Sequence, residues 1–442
     1  MNHDASLEGG VSSHPSLGAH GAVLSPTGSA AVSSSERSRR ISEYRLPGFI
    51  LLLCTLTSVA ACAGTPYRPP SDDTVLIHLP PSARIAARDG PSSPTSTNST
   101  PETSLEDALA RARAFAAAAR RDGDPRLLSY AQQQLRPWWN LPHPPTAVRL
   151  ERARMAQSFH RFSEAQRDLD ECLREDPRST EAWILKANVH LVRGEYSAAR
   201  RACFQLARFA DPLTAAAVTT SLRGLESAEL NVTRSLRELL EQSTSSPDEL
   251  RAWAWTSLGE IEARFSDPEA AERSLRTALE LEPGDVYTLA TLSDFLLDRQ
   301  RPAEVLPLVQ SNSSPALLLR SAEASARLSP DAPDTRRRIA ELVEGFAIDE
   351  WRGERLHLRE QARFVLRLEH NPVRALTLAR ENFVLQKEPA DARLLIEAAI
   401  AAGVVDPNDA DLAWIREHQP AIWLSFAPPH LARPLAQATP RS

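Results

Sequence analysis

The chain has 442 residues, enough for two or three ordinary domains or for one extended repeat array. Its formal charge of −6 gives no field that would draw it to nucleic acid, and 42% hydrophobic with only 6% aromatic residues suits closely packed helices better than sheets. The four cysteines, Cys54, Cys62, Cys172 and Cys203, form no CxxC pair or metal-ligand set.

Residues 1–35 show no periodicity, and the chain then turns basic at Arg37, Arg39, Arg40 and Arg45. An apolar run from Phe49 to Ala61 follows, too short for the ~20 apolar residues of a spanning helix, and ends at Cys62. Basic flank, short apolar core and small residues before a cut are the parts of a secretory signal. Val59-Ala60-Ala61-Cys62 resembles the lipobox of bacterial lipoproteins, which implies acylation of the Cys62 thiol and cleavage before it; an ordinary signal peptide with a chance cysteine is the alternative. Acyl chains there exceed the two-signal requirement for stable anchoring. By the same resemblance, Ala63 after the cysteine favours the periplasmic face of the outer membrane, with a secreted periplasmic protein as the alternative. Residues 1–61 are thus expected to be a leader and signal peptide.

Residues 62–104 are dense in Pro, Ser and Thr, as in 91–101, and cannot build a core. They read as a tether reaching roughly 35 Å from the lipid if flexible.

Helical patterning begins near residue 105. The clearest unit is 252–285, where Trp255, Leu258, Gly259, Ala271, Leu275, Ala278 and Pro283 fall at positions 4, 7, 8, 20, 24, 27 and 32. Small residues at positions 8 and 20 let two helices approach, large apolar ones fill the space between, and proline ends the second helix. This spacing resembles the tetratricopeptide repeat. The units 286–319, 180–213 (Trp183, Ala187, Gly194, Tyr196, Ala199) and 146–179 (Ala153, Ala156, Phe162, Ala165, Leu169, Pro177) repeat it less fully. Weaker pairs are expected at 105–137, 214–247, 314–353, 356–389 and 390–420, with Gly123-Asp-Pro, Asp267-Pro and Asn371-Pro at turns. The runs Ser129-Tyr-Ala-Gln, Pro137-Trp-Trp and Gln386 to Arg393 also resemble an uncharacterised bacterial tetratricopeptide family that carries no established activity. The expectation is an all-α, right-handed superhelical solenoid of about nine antiparallel helix pairs over 105–420, followed by a tail at 421–442.

No HExxH, GxSxG, GxGxxG or GxxxxGK motif is present, so neither catalysis, a cofactor nor a metal is expected. The acidic group Asp168, Asp170, Glu171, Glu175 and Asp176 and the run Arg336-Arg337-Arg338 read as solvated helical faces, Cys172 and Cys203 as small buried thiols with a disulfide as the alternative, and Trp138-Trp139 as packing between the first two pairs. In the tetratricopeptide family, positions 2, 5, 9 and 12 of each first helix point into the concave groove. That resemblance implies Arg154, Gln157, Glu181, Asn188, Trp253, Glu260, Tyr287 and Asp294 as groove residues. Mixed charge with occasional aromatics suits a peptide or partner protein. The two-lysine, two-asparagine carboxylate clamp of some family members is missing, since only Asn188 matches. The reading is a lipid-anchored periplasmic adaptor that binds a protein or peptide, touches membrane through its lipid alone and binds no nucleic acid. A self-associating structural array and a cell-wall or polysaccharide enzyme built on 314–353 and the tail are the alternatives.

Overall fold

Acidic or hydroxyl caps and first-turn prolines cut this chain into short helices. The computed structural model describes residues 104–428, apart from 227–230, 265–266, 311–313, 354 and 407. The signal segment, Cys62 and the tether lie outside the described residues. The helices are α1 (Leu105–Asp122), α2 (Arg126–Gln134), α3 (Arg136–Trp139), α4 (Thr146–Ser158), α5 (Phe162–Glu175), α6 (Thr180–Val192) and α7 (Tyr196–Leu206). Next come α8 (Pro212–Glu226), α9 (Asn231–Gln242), α10 (Asp248–Arg264), α11 (Pro268–Leu281), α12 (Val286–Asp298), α13 (Pro302–Val309) and α14 (Pro315–Leu328). The last are α15 (Pro333–Arg352), α16 (Leu358–Arg367), α17 (Pro372–Leu385), α18 (Pro389–Ala401), α19 (Ala410–His418) and α20 (Pro420–Phe426). No strand occurs among the described residues.

Side chains at the helix starts supply acceptors for otherwise orphaned backbone N–H groups. Ser179 accepts from Ala182, Asp267 from Ala270, Asp285 from Thr288 and Asn371 from Arg374. The Asp-Pro and Asn-Pro dipeptides act as expected: the acid or amide caps, and the proline takes the first helical turn, where its missing N–H costs nothing. In six of the units one residue after the first helix adopts the left-handed conformation. Glycine does this at Gly123, Gly194 and Gly403, but His160, Gln300 and His370 do it elsewhere, at φ near +55 to +58°.

Consecutive helices pack as antiparallel pairs: α1–α2, α4–α5, α6–α7, α8–α9, α10–α11, α12–α13, α14–α15 and α16–α17, with α18 and the short α19–α20 forming a ninth unit. The all-α solenoid expected from the repeats is the architecture seen. The helix α20 runs past residue 420 into the segment expected as the 421–442 tail, and its Trp423 is buried in the same core as Phe383 and Leu395.

Each first helix touches the first helix of the next unit, from α1 and α4 through to α16 and α18, so the first helices form the inner layer and the second helices the outer one. Apolar cores run between units and not through one centre. In the best unit, Leu258, Ala271 and Leu275 are fully buried, worth about 1.5–3 kcal/mol for each leucine. Gly259 lies so close to α11 that an added Cβ would sit 2.8 Å from Leu275 Cγ. Cys172 and Cys203 are buried in separate clusters and form no disulfide. Trp138 and Trp139 pack against the cluster that joins α1–α2 to Val148 and Met155 of α4.

The array also folds back on itself. The turn after α1 meets the starts of α12 and α14, where Gly123 faces Ser314 and Arg121 faces Gly284. The turn after α4 shares a cleft of about 300 Å³ with Arg355, Leu356 and Leu385. The turn after α6 meets the start of α18: the Lys387 N–H donates to the Val192 carbonyl at 2.6 Å, and Gln419 Nε2 donates to the Tyr196 hydroxyl at 2.8 Å. Unit one therefore meets units six and seven, two meets eight and three meets nine, an offset of five to six units.

Candidate protein-binding surface

The eight groove residues expected from the sequence all sit on first helices, but they do different work. On α4, Arg154 Nε reaches Glu151 at 3.3 Å and its Nη2 reaches Glu181 of α6 at 3.4 Å. Glu151 is almost wholly buried and also accepts from Arg113 of α1 at 2.8 Å. One carboxylate and one guanidinium thus tie three successive inner helices. Gln157 keeps its Oε1 buried with no hydrogen bond, and Asn188 is half-buried on α6. Trp253 packs against the cores on either side of α8, so its ring serves the stack of helices.

Glu260 of α10 and Tyr287 of α12 come together: the phenol donates to Glu260 Oε1 at 2.6 Å. Tyr287 remains 52% exposed, the most open aromatic on the inner layer, yet protein surrounds it on several sides. Loss of water raises its phenol well above the usual value, and the negative charges of Glu260 and Glu388 push the same way against Arg359. The Glu260 carboxyl is likewise raised, mainly by loss of water, with Arg264 and the Tyr287 hydrogen bond opposing. One turn along α10, Arg264 has a buried Nε without a hydrogen-bond partner, and loss of water lowers its pKa. Glu388 and Arg359 belong to units nine and eight, so Tyr287 faces a concavity bounded by the far end of the array.

Asp294 is fully engaged. It accepts from Arg320 Nε at 3.0 Å and Nη2 at 2.8 Å, and pairs with Arg363 Nη1 at 2.6 Å. Burial would raise this carboxyl, but the two arginines outweigh it and hold it far below the ordinary range. Arg363 also binds Glu323, Arg359 binds Asp391 and Glu388, Arg367 binds Glu397, and Arg393 reaches Asp298 at 2.6 Å. These arginines were not among the expected residues. Their signal in the sequence is an opposite charge about one repeat away, as in Arg320 with Asp294, Arg359 with Asp391 and Arg367 with Glu397, separated by 26, 32 and 30 positions.

The structure therefore joins Arg154 to Glu181 and Glu260 to Tyr287, uses Trp253 and Asp294 to hold neighbouring helices, and leaves Gln157 and Asn188 apart from both pairs. The acidic group near α5 is likewise engaged: Asp168 with Arg152, Asp170 with Lys186 at 2.5 Å, and Glu175 with Arg149. Among the described residues no group of three or more His, Cys, Asp or Glu is placed to hold a metal ion. In the 314–353 stretch the carboxylates Glu323 and Asp349 pair with Arg363 and His357. No helix among the described residues is long and apolar enough to cross a membrane.

No protein-family model matches the chain, and no curated protein does. Among solved structures, the tetratricopeptide domain of P58(IPK), a crystal structure at 2.5 Å, is 15% identical and aligns over 76% of this chain and 99% of its own, with a TM-score of 0.21.

Proposed function

We propose that this chain is a protein- or peptide-binding scaffold, tethered by a lipid on Cys62 to the periplasmic face of the outer membrane, where it holds its partner for envelope assembly or secretion. The observation that carries the binding reading is Tyr287: a large aromatic left 52% exposed on an inner layer whose other charged groups are largely paired. Tyr and Arg are the residue types that dominate binding energy at interfaces, because each combines a broad apolar surface with directed hydrogen bonding. Arg264, one turn along α10, adds a positive charge next to the Tyr287–Glu260 pair. Cys62 with its tether is the basis of the membrane part of the proposal.

The test places a photo-crosslinking phenylalanine analogue at Tyr287 in the full chain and, as control, at Arg273, an exposed residue of the outer helix α11. Adducts to another protein from position 287 and none from 273 support the reading. Equal adducts, or none at 287, overturn it. Cys62→Ser tests the anchor separately, with loss of the protein from the membrane fraction as the expected result.

A further inference from the structure

The outer helices show what a solvated face looks like. On α5 the outward residues include Glu164, Arg167, Asp170 and Arg174; on α11 they are Glu269, Arg273, Arg276 and Glu280. Helix α15 departs from that pattern. At 20 residues it is longer than its partner α14, with 14, and than α16, with 10. Its inner side buries Thr335, Leu342 and Phe346, and Phe346 packs on Phe364 with ring centroids 5.4 Å apart. Its opposite side exposes Ala340, Val343, Ala347 and Trp351, spaced by three and four residues as on one stripe of a helix, with Ile348 at the edge. Val343 is 46% and Trp351 77% exposed. Scattered surface hydrophobes are ordinary, but an aligned stripe ending in an open tryptophan is the form of an interface.

Charge decides what covers it. Residues 334–338 carry Arg336, Arg337 and Arg338 against Asp334, and residues 344–352 carry Glu344, Asp349 and Glu350 against Arg352, so the helix starts net positive and ends net negative. Arg337 and Arg338 both bond Asp334 on the same helix, and Glu350 reaches Arg374 at 3.7 Å. A second copy of α15 laid parallel would set like charges together. Laid antiparallel, it sets the net positive start of each helix against the net negative end of the other, twice over by two-fold symmetry, with the apolar stripes between. We infer that α15 is a self-association surface and that its partner is α15 of a second copy of this chain, paired antiparallel. This leaves the inner layer of each array free, so the surface is independent of the binding reading above.

Sedimentation of the full chain carrying Cys62→Ser, which removes the acylation site, reads the association directly. A monomer–dimer equilibrium is expected. Trp351→Ala should weaken it by about tenfold or more. Arg336→Glu with Arg337→Glu should abolish it, and adding Glu344→Arg with Glu350→Arg should restore it. The exchanged helix keeps its own stability, because acids then lie near its N-terminus and bases near its C-terminus, and circular dichroism of each variant confirms folding. A chain that is monomeric at every concentration, a dimer indifferent to the first charge reversal, or a failure of the fourfold exchange to restore pairing would each overturn the inference.

Discussion

The backbone N–H of Lys387 donates to the carbonyl of Val192 at 2.6 Å, joining the start of unit nine to the end of the first helix of unit three. Around this bond the Lys387 ammonium lies 4.4 Å from the Phe383 ring centroid and 5.5 Å from that of Trp414. Trp414 stacks on His418 at 4.6 Å, and Tyr196 closes the cluster. A seam of this kind turns a solenoid whose units touch only their neighbours into one whose distant units support each other.

The seam predicts unequal outcomes for two glycines with the same backbone. Gly194 and Gly403 have φ of +71° and +68°, so alanine costs both the same left-handed strain. At Gly403 an added Cβ meets nothing within 4 Å, whereas at Gly194 it would lie 2.5 Å from Trp414 Cζ2. Gly194→Ala should therefore destabilise by about 1–3 kcal/mol more than Gly403→Ala in urea unfolding. Equal losses would show that the seam contributes little.

Asp294→Ala should be among the most damaging single changes. It leaves Arg320, with 8% of its side chain exposed, without its carboxylate and removes one of the two that hold Arg363. A loss of about 3–5 kcal/mol is expected. Glu249→Ala, which breaks the open pair with Arg120 at 3.4 Å, should stay within about 0.5 kcal/mol. Thermal unfolding of the two variants side by side makes the comparison.

Gln300 holds φ at +58° and its side chain is exposed. Glycine adopts this conformation without the Cβ clash, so Gln300→Gly should stabilise by about 0.5–1 kcal/mol despite the greater freedom of the unfolded chain. A lower melting temperature would mean that the turn derives its shape from Gln300 contacts.

Hydrogen bonds from Arg301, against modest burial and with help from Arg276, bring the Glu272 carboxyl from 4.5 down to about 2. A depressed acid contributes stability that is complete above its unfolded pKa and is lost as pH falls through the folded one. The window is therefore about pH 4.5 down to about 2. With water screening a side chain that is 21% exposed, the contribution is about 1–2 kcal/mol. Glu272→Gln should cost that much at about pH 6 and little at about pH 2. A constant difference between the two would show that Glu272 contributes through packing instead.

The sequence by itself determined the repeat unit. Trp255, Leu258, Gly259, Ala271 and Leu275 lie within one helical hairpin, and each shape requirement is met by a neighbour about one helix away, so spacing alone reveals it. The same holds for Asp267 and Asn371, whose caps act over three residues. The inner position of Glu260 and Tyr287 could be carried over from the repeat frame, because each frame position has a set direction. Tertiary structure alone decided the offset of five to six units, since it is the sum of small rotations at every interface and no single residue encodes it. That offset brings Lys387 to Val192 and Gln419 to Tyr196, and it surrounds Tyr287 with Glu388 and Arg359. It also decided which charges are spent: Asp294 reads in sequence like any groove carboxylate, and only packed helices place two arginines on it.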